Sequence, residues 1–192
     1  MLESRERGKW KHERWYALGR SQNLSEMDQK KILTPSIADR ASFTLDSTDY
    51  FYFVGSGGGG GGGYGILLKE GESLSYEYVL CLLNSSLLDW YLKSYSSRFS
   101  GGYFAYNRQY IEKLPIRLID FSHNAETGQH DLIVKSVKSM LDLHRDLAAT
   151  KTDQEKSVIQ RHIDATDKQI DALVYELDGL TEEEIKIVEG TQ

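Results

Sequence analysis

Residues 92–116 combine side-chain types that proteins use to bind nucleic acid. Arginines, small residues and carboxamides alternate there with aromatic rings, which are Tyr95, Phe99, Tyr103, Phe104, Tyr106 and Tyr110. Guanidinium groups, aromatic faces and accessible glycine backbone can hold a sugar-phosphate backbone and reach base edges. We therefore take Arg98, Tyr103, Asn107 and Arg108 as candidate DNA contacts. The alternative, of equal weight on residue types alone, is a strand-turn-strand whose aromatics are half-buried.

Two other stretches supply further candidates. The polar turn GRSQNL contains Arg20, Gln22 and Asn23, whose donors and acceptors suit guanine or adenine edges. A solvated loop is the slightly favoured alternative for this hexapeptide. Tyr64 and Lys69 follow a run of seven glycines, Gly57 to Gly63, and complete the set by residue type and loop position.

The glycine run does not predict a nucleotide site. No Lys-Ser/Thr pair follows it, so the lysine that a P-loop places on phosphates is missing. No acidic residue follows at the spacing of a dinucleotide fold. Two interpretations remain equal: a flexible linker, which is costly to order, or a tip without side chains that approaches a DNA groove closely.

Catalytic groupings are absent from the sequence. There is no Asn-Pro-Pro-aromatic element, since the only prolines are Pro35 and Pro115. No Cys/His cluster has zinc spacing, no GxSxG is present, and His144 has no second metal ligand near it. The carboxylates fall mostly on helical surfaces. The sequence thus predicts a binding and positioning module, non-catalytic by itself and without a metal or cofactor of its own.

Alternation and helical periodicity predict the elements that position these residues. Residues 30–35 and 43–54 are typical of strands, and 65–69 of a strand returning from a hairpin with a flexible tip. Two helices follow in 76–91, with a break at residues 84–86. Residues 120–131 look like a polar connection, and helices are expected at about 131–149 and after the capping box of Thr152 and Glu155.

Apolar residues repeat at alternating spacings of four and three in both late helices. The first series is Ile133, Val137, Met140, His144 and Leu147, and the second is Ile159, Ile163, Thr166, Ile170, Leu173 and Leu177. This pattern and a short connector predict an antiparallel, coiled-coil-like pair. Gly179 should end the second helix, and a capping box of Thr181 and Glu184 should start a last short one.

Charge and cysteine content bound the function classes. Up to residue 116 there are 14 basic against 13 acidic residues, and from residue 117 there are 9 against 16, so the second part is unlikely to follow phosphates. The lone Cys81 lies in an apolar run and suits a core position in a reducing, cytoplasmic compartment. No segment is predicted to cross or enter a membrane.

Several motifs, in this order and spacing, carry a resemblance that covers residues 15–189. They include YGILLK, NSSLLDWYLK, FSGGYFAYNRQYIEKLPI and DKQIDALVYELDGLTEEEI. The series resembles the C-terminal specificity domain of TaqI-like and type IIG restriction-modification methyltransferases. It is also similar in layout to the DNA-specificity subunits of type I systems.

The resemblance implies an α+β protein: a mostly β target-recognition domain with flanking helices, followed by the helical pair as a spacer. It implies binding of double-stranded DNA for a methyltransferase domain located upstream in the same protein. That parent would be a site-specific adenine-N6 methyltransferase, with or without endonuclease activity. S-adenosylmethionine, and Mg²⁺ as a further candidate, would bind in the upstream domains and not in this chain.

The expected organisation is an arm at 1–20, a target-recognition domain at 21–118 and a helical spacer or dimerisation region at 119–192. Self-association through the helical pair is a further candidate interaction. Two rival functions remain: a protein-interaction module acting through that pair, and a self-contained hydrolase or nuclease.

Overall fold

The computed structural model describes residues 28–48, 51, 62–71 and 73–190. Five short strands lie in this part of the chain: β1 (Lys31–Pro35), β2 (Ile37–Ala38), β3 (Thr44–Asp46), β4 (Gly63–Ile66) and β5 (Phe104–Ala105). The helices are α1 (Tyr76–Asn84), α2 (Ser86–Tyr95), α3 (Arg108–Ile111), α4 (Asn124–Ala149), α5 (Asp153–Asp178) and α6 (Glu182–Glu189). The α+β class predicted from the sequence is confirmed. None of the helices in these ranges combines the length and the apolar character that crossing a membrane requires.

Strand β1 is the centre of the larger sheet. It pairs antiparallel with β3 on one edge and with β4 on the other. Its first four residues are all buried, as expected for a strand that is covered on both faces. The predicted return strand at 65–69 is therefore observed at Gly63–Ile66 with β1 as its partner. The predicted pairing with residues 50–54 lies outside the described residues, except for Phe51.

A bend at Ser36 joins this sheet to a second, two-stranded one. The Ser36 N–H donates to the Gly62 carbonyl at 3.0 Å, while the Ser36 carbonyl accepts from the Tyr106 N–H at 2.9 Å. Beyond the bend, β2 pairs antiparallel with β5. The chain from β1 to β2 thus fixes β5, and with it the aromatic segment, against the core.

Helices α1 and α2 meet at Ser85, which confirms the predicted break. The Ser85 hydroxyl donates to the Leu82 carbonyl at 2.7 Å and accepts from the Leu88 N–H at 3.2 Å. Cys81 is buried in α1, and burial raises the pKa of its thiol to about 12. Cys81 is therefore a core residue, as the sequence predicted, and not a nucleophile.

The two long helices α4 and α5 are joined by residues 150–152 and pack against each other. Thr152 caps α5 by accepting from the Glu155 N–H at 3.3 Å, and Gly179 ends it with φ of 68°. Thr181 and Glu184 form the capping box of α6. The antiparallel pair and all three helix ends were predicted, whereas coiled-coil packing stays a prediction.

The interpretation of residues 120–131 as a polar connection is wrong, because α4 begins at Asn124. The Glu126 carboxylate in its first turn accepts from the Asp120 N–H at 2.9 Å. The ring of His130 is buried between Tyr78, at 5.2 Å, and Phe121, at 5.1 Å. The polar residue types at the start of α4 did not indicate a helix, although His130 packs in the core there.

Candidate nucleic-acid interface

Residues 97–105 form a hairpin that we call the aromatic hairpin. Its arms are held by hydrogen bonds from the Ala105 N–H to the Ser97 carbonyl, at 2.9 Å, and from the Phe99 N–H to the Tyr103 carbonyl, at 2.7 Å. Between these bonds Arg98 and Phe104 form an antiparallel bridge. Ser100–Gly102 make a 3-10 turn at the tip, where Gly101 and Gly102 have φ of 80° and 82°. Positive φ at both positions favours glycine, so the FSGGY sequence is well suited to this turn.

The two faces of the aromatic hairpin differ in chemistry. Successive side chains of paired strands point to opposite faces, so Phe99 and Tyr103 share one face and Arg98 and Phe104 share the other. Phe99 and Tyr103 are each 46% exposed. Large apolar side chains this accessible at a hairpin tip are not part of the core. The structure shows a strand-turn-strand whose tip aromatics, Phe99 and Tyr103, are about half exposed, while Tyr106 is fully buried. DNA contact by this stretch stays a prediction.

Two cations flank the ring of Phe104 on the opposite face. The Arg98 guanidinium carbon lies 5.7 Å from the ring centre, and the Lys93 ammonium nitrogen lies 5.4 Å from it. Lys93 is also paired with the Asp89 carboxylate at 2.6 Å. Arg98 has no carboxylate within 4.0 Å among the described residues. Its positive charge is therefore available to an anion from outside.

Asp89 anchors the base of the hairpin. Its carboxylate accepts from the Ala41 N–H at 2.9 Å, from Lys93 at 2.6 Å, and from the Tyr106 hydroxyl in a short hydrogen bond. Burial raises the pKa of Tyr106, and the bond to Asp89 raises it further, so the phenol remains a neutral donor. Helix α2, β5 and the chain after β2 are thereby fixed to one another.

A row of tyrosines continues the aromatic side of the hairpin onto the helices. The ring of Tyr95 lies 5.2 Å from that of Tyr91 and 6.0 Å from that of Tyr110. The Tyr95 hydroxyl donates to the Tyr110 carbonyl at 2.9 Å, and the hydroxyls of Ser97 and Tyr110 are 2.6 Å apart. Ser97 shares its face with Phe99, so this row and the hairpin tip lie on the same side.

Four of the residues predicted to contact DNA lie together on the hairpin and the turn that follows it. Arg98 and Tyr103 are exposed on the hairpin, and Asn107 is the N-terminal cap position of α3. The Asn107 carboxamide oxygen is buried and has no hydrogen-bond partner among the described residues. Arg108 points to solvent and pairs with Glu112 at 3.2 Å.

The remaining predicted contacts lie elsewhere. Tyr64 is half-buried in β4 opposite Thr34. Lys69 is exposed beyond the end of β4, next to Leu68, whose N–H donates to the Tyr76 hydroxyl at 3.1 Å. Lys69 is thus at the opposite end of β4 from the bend at Ser36. Arg20, Gln22 and Asn23 lie outside the described residues.

Sequence reasoning missed Phe99 and Lys93 as members of this surface. A signal was present: residues 90–111 contain three basic residues and no acidic one. Among the described residues, no three His, Cys, Asp or Glu side chains cluster so that they could hold a metal ion.

Comparison with known families gives one match. The model of the TaqI-like C-terminal specificity domain matches residues 3–116, which is more than half of the chain and includes the whole aromatic hairpin. No curated protein matches the sequence. The chain therefore belongs to the TaqI-like C-terminal specificity domains, the DNA target-specificity modules of restriction-modification enzymes.

Proposed function

We propose that this chain binds duplex DNA at a specific sequence, positions it for an adenine-N6 methyltransferase portion of the same protein, and makes no covalent bond itself. The observation that carries the proposal is the aromatic hairpin, where Arg98, free of any carboxylate among the described residues, stands behind two exposed aromatic rings. Cationic and aromatic groups on a rigid projection suit a DNA groove.

The exposed cations would supply the contacts to phosphate. Arg98 lies on the hairpin, and Arg108 is ten residues later on α3. Lys69, which lies beyond β4, would contact the DNA backbone at a separate position. Tyr64, Tyr103 and Asn107, with Arg20, Gln22 and Asn23, would take part in base readout. A guanidinium that contacts guanine in a bidentate manner contributes about 1–3 kcal/mol to discrimination.

The proposal includes the organisation of the parent protein. Residues 1–20 would be an arm from the upstream methyltransferase domain, 21–118 the target-recognition domain, and 119–192 a spacer. S-adenosylmethionine and Mg²⁺ would bind upstream, and the whole would work in the cytoplasm. The parent would methylate DNA with or without endonuclease activity, and self-association through the helical pair is a further candidate interaction.

The competing function, protein interaction through the helical pair, gains no support from the fold. Three members of the apolar series of α5, Ile163, Ile170 and Leu177, are buried within the chain itself. A partner chain, including a second copy of this chain, would have to use another face of the helical pair.

The test is the salt dependence of duplex binding by the full chain and by Arg98→Ala. Binding of the wild type should weaken steeply as salt rises, and loss of one phosphate contact should make the slope of log K against log salt shallower by about 0.9. Arg145→Ala is the matched control, because Arg145 is 76% exposed and, in the part of the chain that the structure describes, pairs only with Asp142 on α4. An equal slope for wild type and Arg98→Ala, with binding intact, would remove Arg98 from the interface. Binding that is independent of salt would contradict the proposed function.

A further inference from the structure

We propose that Phe99 and Tyr103 form an aromatic wedge that stacks on bases of duplex DNA that have left the helical stack. The inference rests on the proposed function and adds a mode of contact to it. It assigns a role in DNA contact to Phe99. It also assigns to Tyr103 a stacking role, which differs from hydrogen bonding to a base edge.

The first support is the geometry of the tip. Phe99 and Tyr103 are neighbours across the hairpin, joined by the 2.7 Å hydrogen bond from the Phe99 N–H to the Tyr103 carbonyl, and both rings are nearly half exposed. A Cβ built on Gly102 would meet no atom within 4 Å, so open space surrounds that position. The tip is therefore uncovered at Gly102, and the two rings lie behind a turn that contains two glycines.

The second support is the rigidity of the base. The two rings can enter an opened base step only if the hairpin that carries them does not bend back against the protein. Ala105 and Tyr106 are buried at the foot of the hairpin, and the Tyr106 hydroxyl is bonded to Asp89. The opposite arm leads from α2 through Ser97, whose carbonyl accepts from Ala105. Both arms are therefore held by buried structure.

The third support is charge. The two carboxylates that border the 90–111 segment, Asp89 and Glu112, are paired with Lys93 at 2.6 Å and with Arg108 at 3.2 Å. Arg98 lies behind the aromatic pair on the other face of the hairpin. An anionic backbone can therefore approach the tip, and Arg98 is placed to contact a phosphate while the rings reach further in.

The chemistry of aromatic rings selects the state of the DNA. In an intact duplex the base faces are stacked on one another, and only the base edges are accessible in the grooves. Apolar and aromatic side chains gain contact with base faces where a step is opened or a base is unpaired. Two exposed rings at the tip therefore suit the base faces of an opened base step better than the base edges of an intact groove.

The experiment compares two duplexes of the same sequence, one intact and one with a single unpaired base at its centre. Binding of the full chain is measured by fluorescence anisotropy, with 2-aminopurine beside the unpaired base to report stacking. The wild type should prefer the duplex with the unpaired base by roughly tenfold and should quench the 2-aminopurine, because the stacking of one base on an aromatic side chain commonly has an effect on this order.

Phe99→Ala and Tyr103→Ala should lose this preference and the quenching, so that each variant binds the two duplexes with equal affinity. Tyr103→Phe should keep both, since the ring is retained. Arg98→Ala should weaken binding to both duplexes equally. The control is Ile187→Ala, which removes an apolar side chain that is 60% exposed on α6, and it should change nothing. Circular dichroism verifies that each variant is folded.

The outcomes separate the wedge from the proposed function. Binding to the intact duplex without preference for the unpaired base, or a preference that survives Phe99→Ala and Tyr103→Ala, would overturn the wedge and leave DNA binding in place. No binding to either duplex by the folded wild type would overturn the proposed function, and the wedge with it.

Discussion

The three cations of the 90–111 segment differ in what surrounds them. Lys93 is largely covered and bonded to Asp89, so its charge is already compensated. Arg108 pairs with Glu112 at the surface, where both side chains are more than half exposed. Exposed pairs contribute only about 0–1 kcal/mol, so a phosphate could replace Glu112 at little cost. Arg98, which has no such pair among the described residues, needs no exchange at all.

The most buried ion pair of the described residues joins two strands and lies away from the hairpin. The Lys31 ammonium contacts the Asp46 carboxylate at 2.6 Å, and both side chains are almost fully inaccessible. Burial alone would raise the pKa of Asp46. The hydrogen bond from Lys31 and those from Thr48 and the Phe51 N–H outweigh this effect and hold the pKa well below its usual range. The stability that this carboxylate contributes is therefore present above its unfolded pKa, about 4, and is lost as the pH falls through the folded value.

Asp46→Asn should lower the free energy of unfolding by about 3–5 kcal/mol at pH 7, because it leaves the Lys31 ammonium buried without this carboxylate. The difference from wild type should shrink as the pH falls below about 4, because the Asp46 carboxylate of the unfolded wild type then begins to take up a proton while the folded one stays charged. Urea denaturation at a series of pH values measures both effects. Asp142→Asn is the control, since Asp142 is 64% exposed and should cost almost nothing. A difference that stays constant down to pH 2 would show that the charge of Asp46 does not contribute.

At the scale of the elements, helix ends are set by a few residues. Gly179 ends α5 with φ of 68°, and its N–H donates to the Glu176 carbonyl at 3.2 Å, while the Leu180 N–H donates to the Tyr175 carbonyl at 2.9 Å. This arrangement satisfies carbonyls that would otherwise lack donors and turns the chain into the cap of α6.

Gly179→Ala should therefore destabilise the protein by about 1 kcal/mol, because a Cβ is disfavoured in the left-handed region. Gly128→Ala provides the opposite control. Gly128 lies within α4 with no atom within 4 Å of a Cβ, so alanine should stabilise the protein by about 0.5–1 kcal/mol. Thermal unfolding of both variants tests the pair. Equal shifts in the same direction would contradict this account of α5.

Features were predictable from the sequence where the interacting residues lie within a few positions of each other, and were missed where they lie far apart in the chain. The ends of α5 and α6 and the break at Ser85 follow from caps whose partners lie within a few residues, and these were predicted. The start of α4 depends on contacts of His130 with Tyr78 and Phe121, one of which lies far away in sequence, and it was missed. The pairing of β4 with β1 likewise involves the bend at Ser36, which no local sequence pattern predicts.

The candidate site follows the same rule. Residue types located the segment, because cations and aromatics without acids are visible in the sequence. Alternation across the hairpin then decided that Phe99, and not Phe104, faces out with Tyr103. That assignment required the register of the two arms, which only the fold supplies. The roles of individual residues in DNA contact stay predictions.

On the scale of the whole molecule, the helical pair and the hairpin-bearing part share one core. The buried cluster runs from Ile32 and Tyr78 through Leu92 to Ile133 and Val174 without interruption. A second link is polar: the Asp171 carboxylate of α5 accepts from the Ser86 N–H at 2.9 Å and from the Ser86 hydroxyl at 2.6 Å, at the start of α2. Since α2 leads into the aromatic hairpin, the long helices hold that hairpin at a fixed position.

A shared core predicts a shared unfolding transition. Ile133 on α4 is fully buried, so Ile133→Ala should cost about 2–5 kcal/mol. Because β1 belongs to the same cooperative unit, amide hydrogen exchange should accelerate in β1 as much as in α5. The neighbouring Leu132 is 54% exposed, so Leu132→Ala should leave both rates nearly unchanged. Acceleration confined to α4 and α5 would mean that the helical pair opens on its own. The pair would then hold the hairpin less firmly than the continuous core implies.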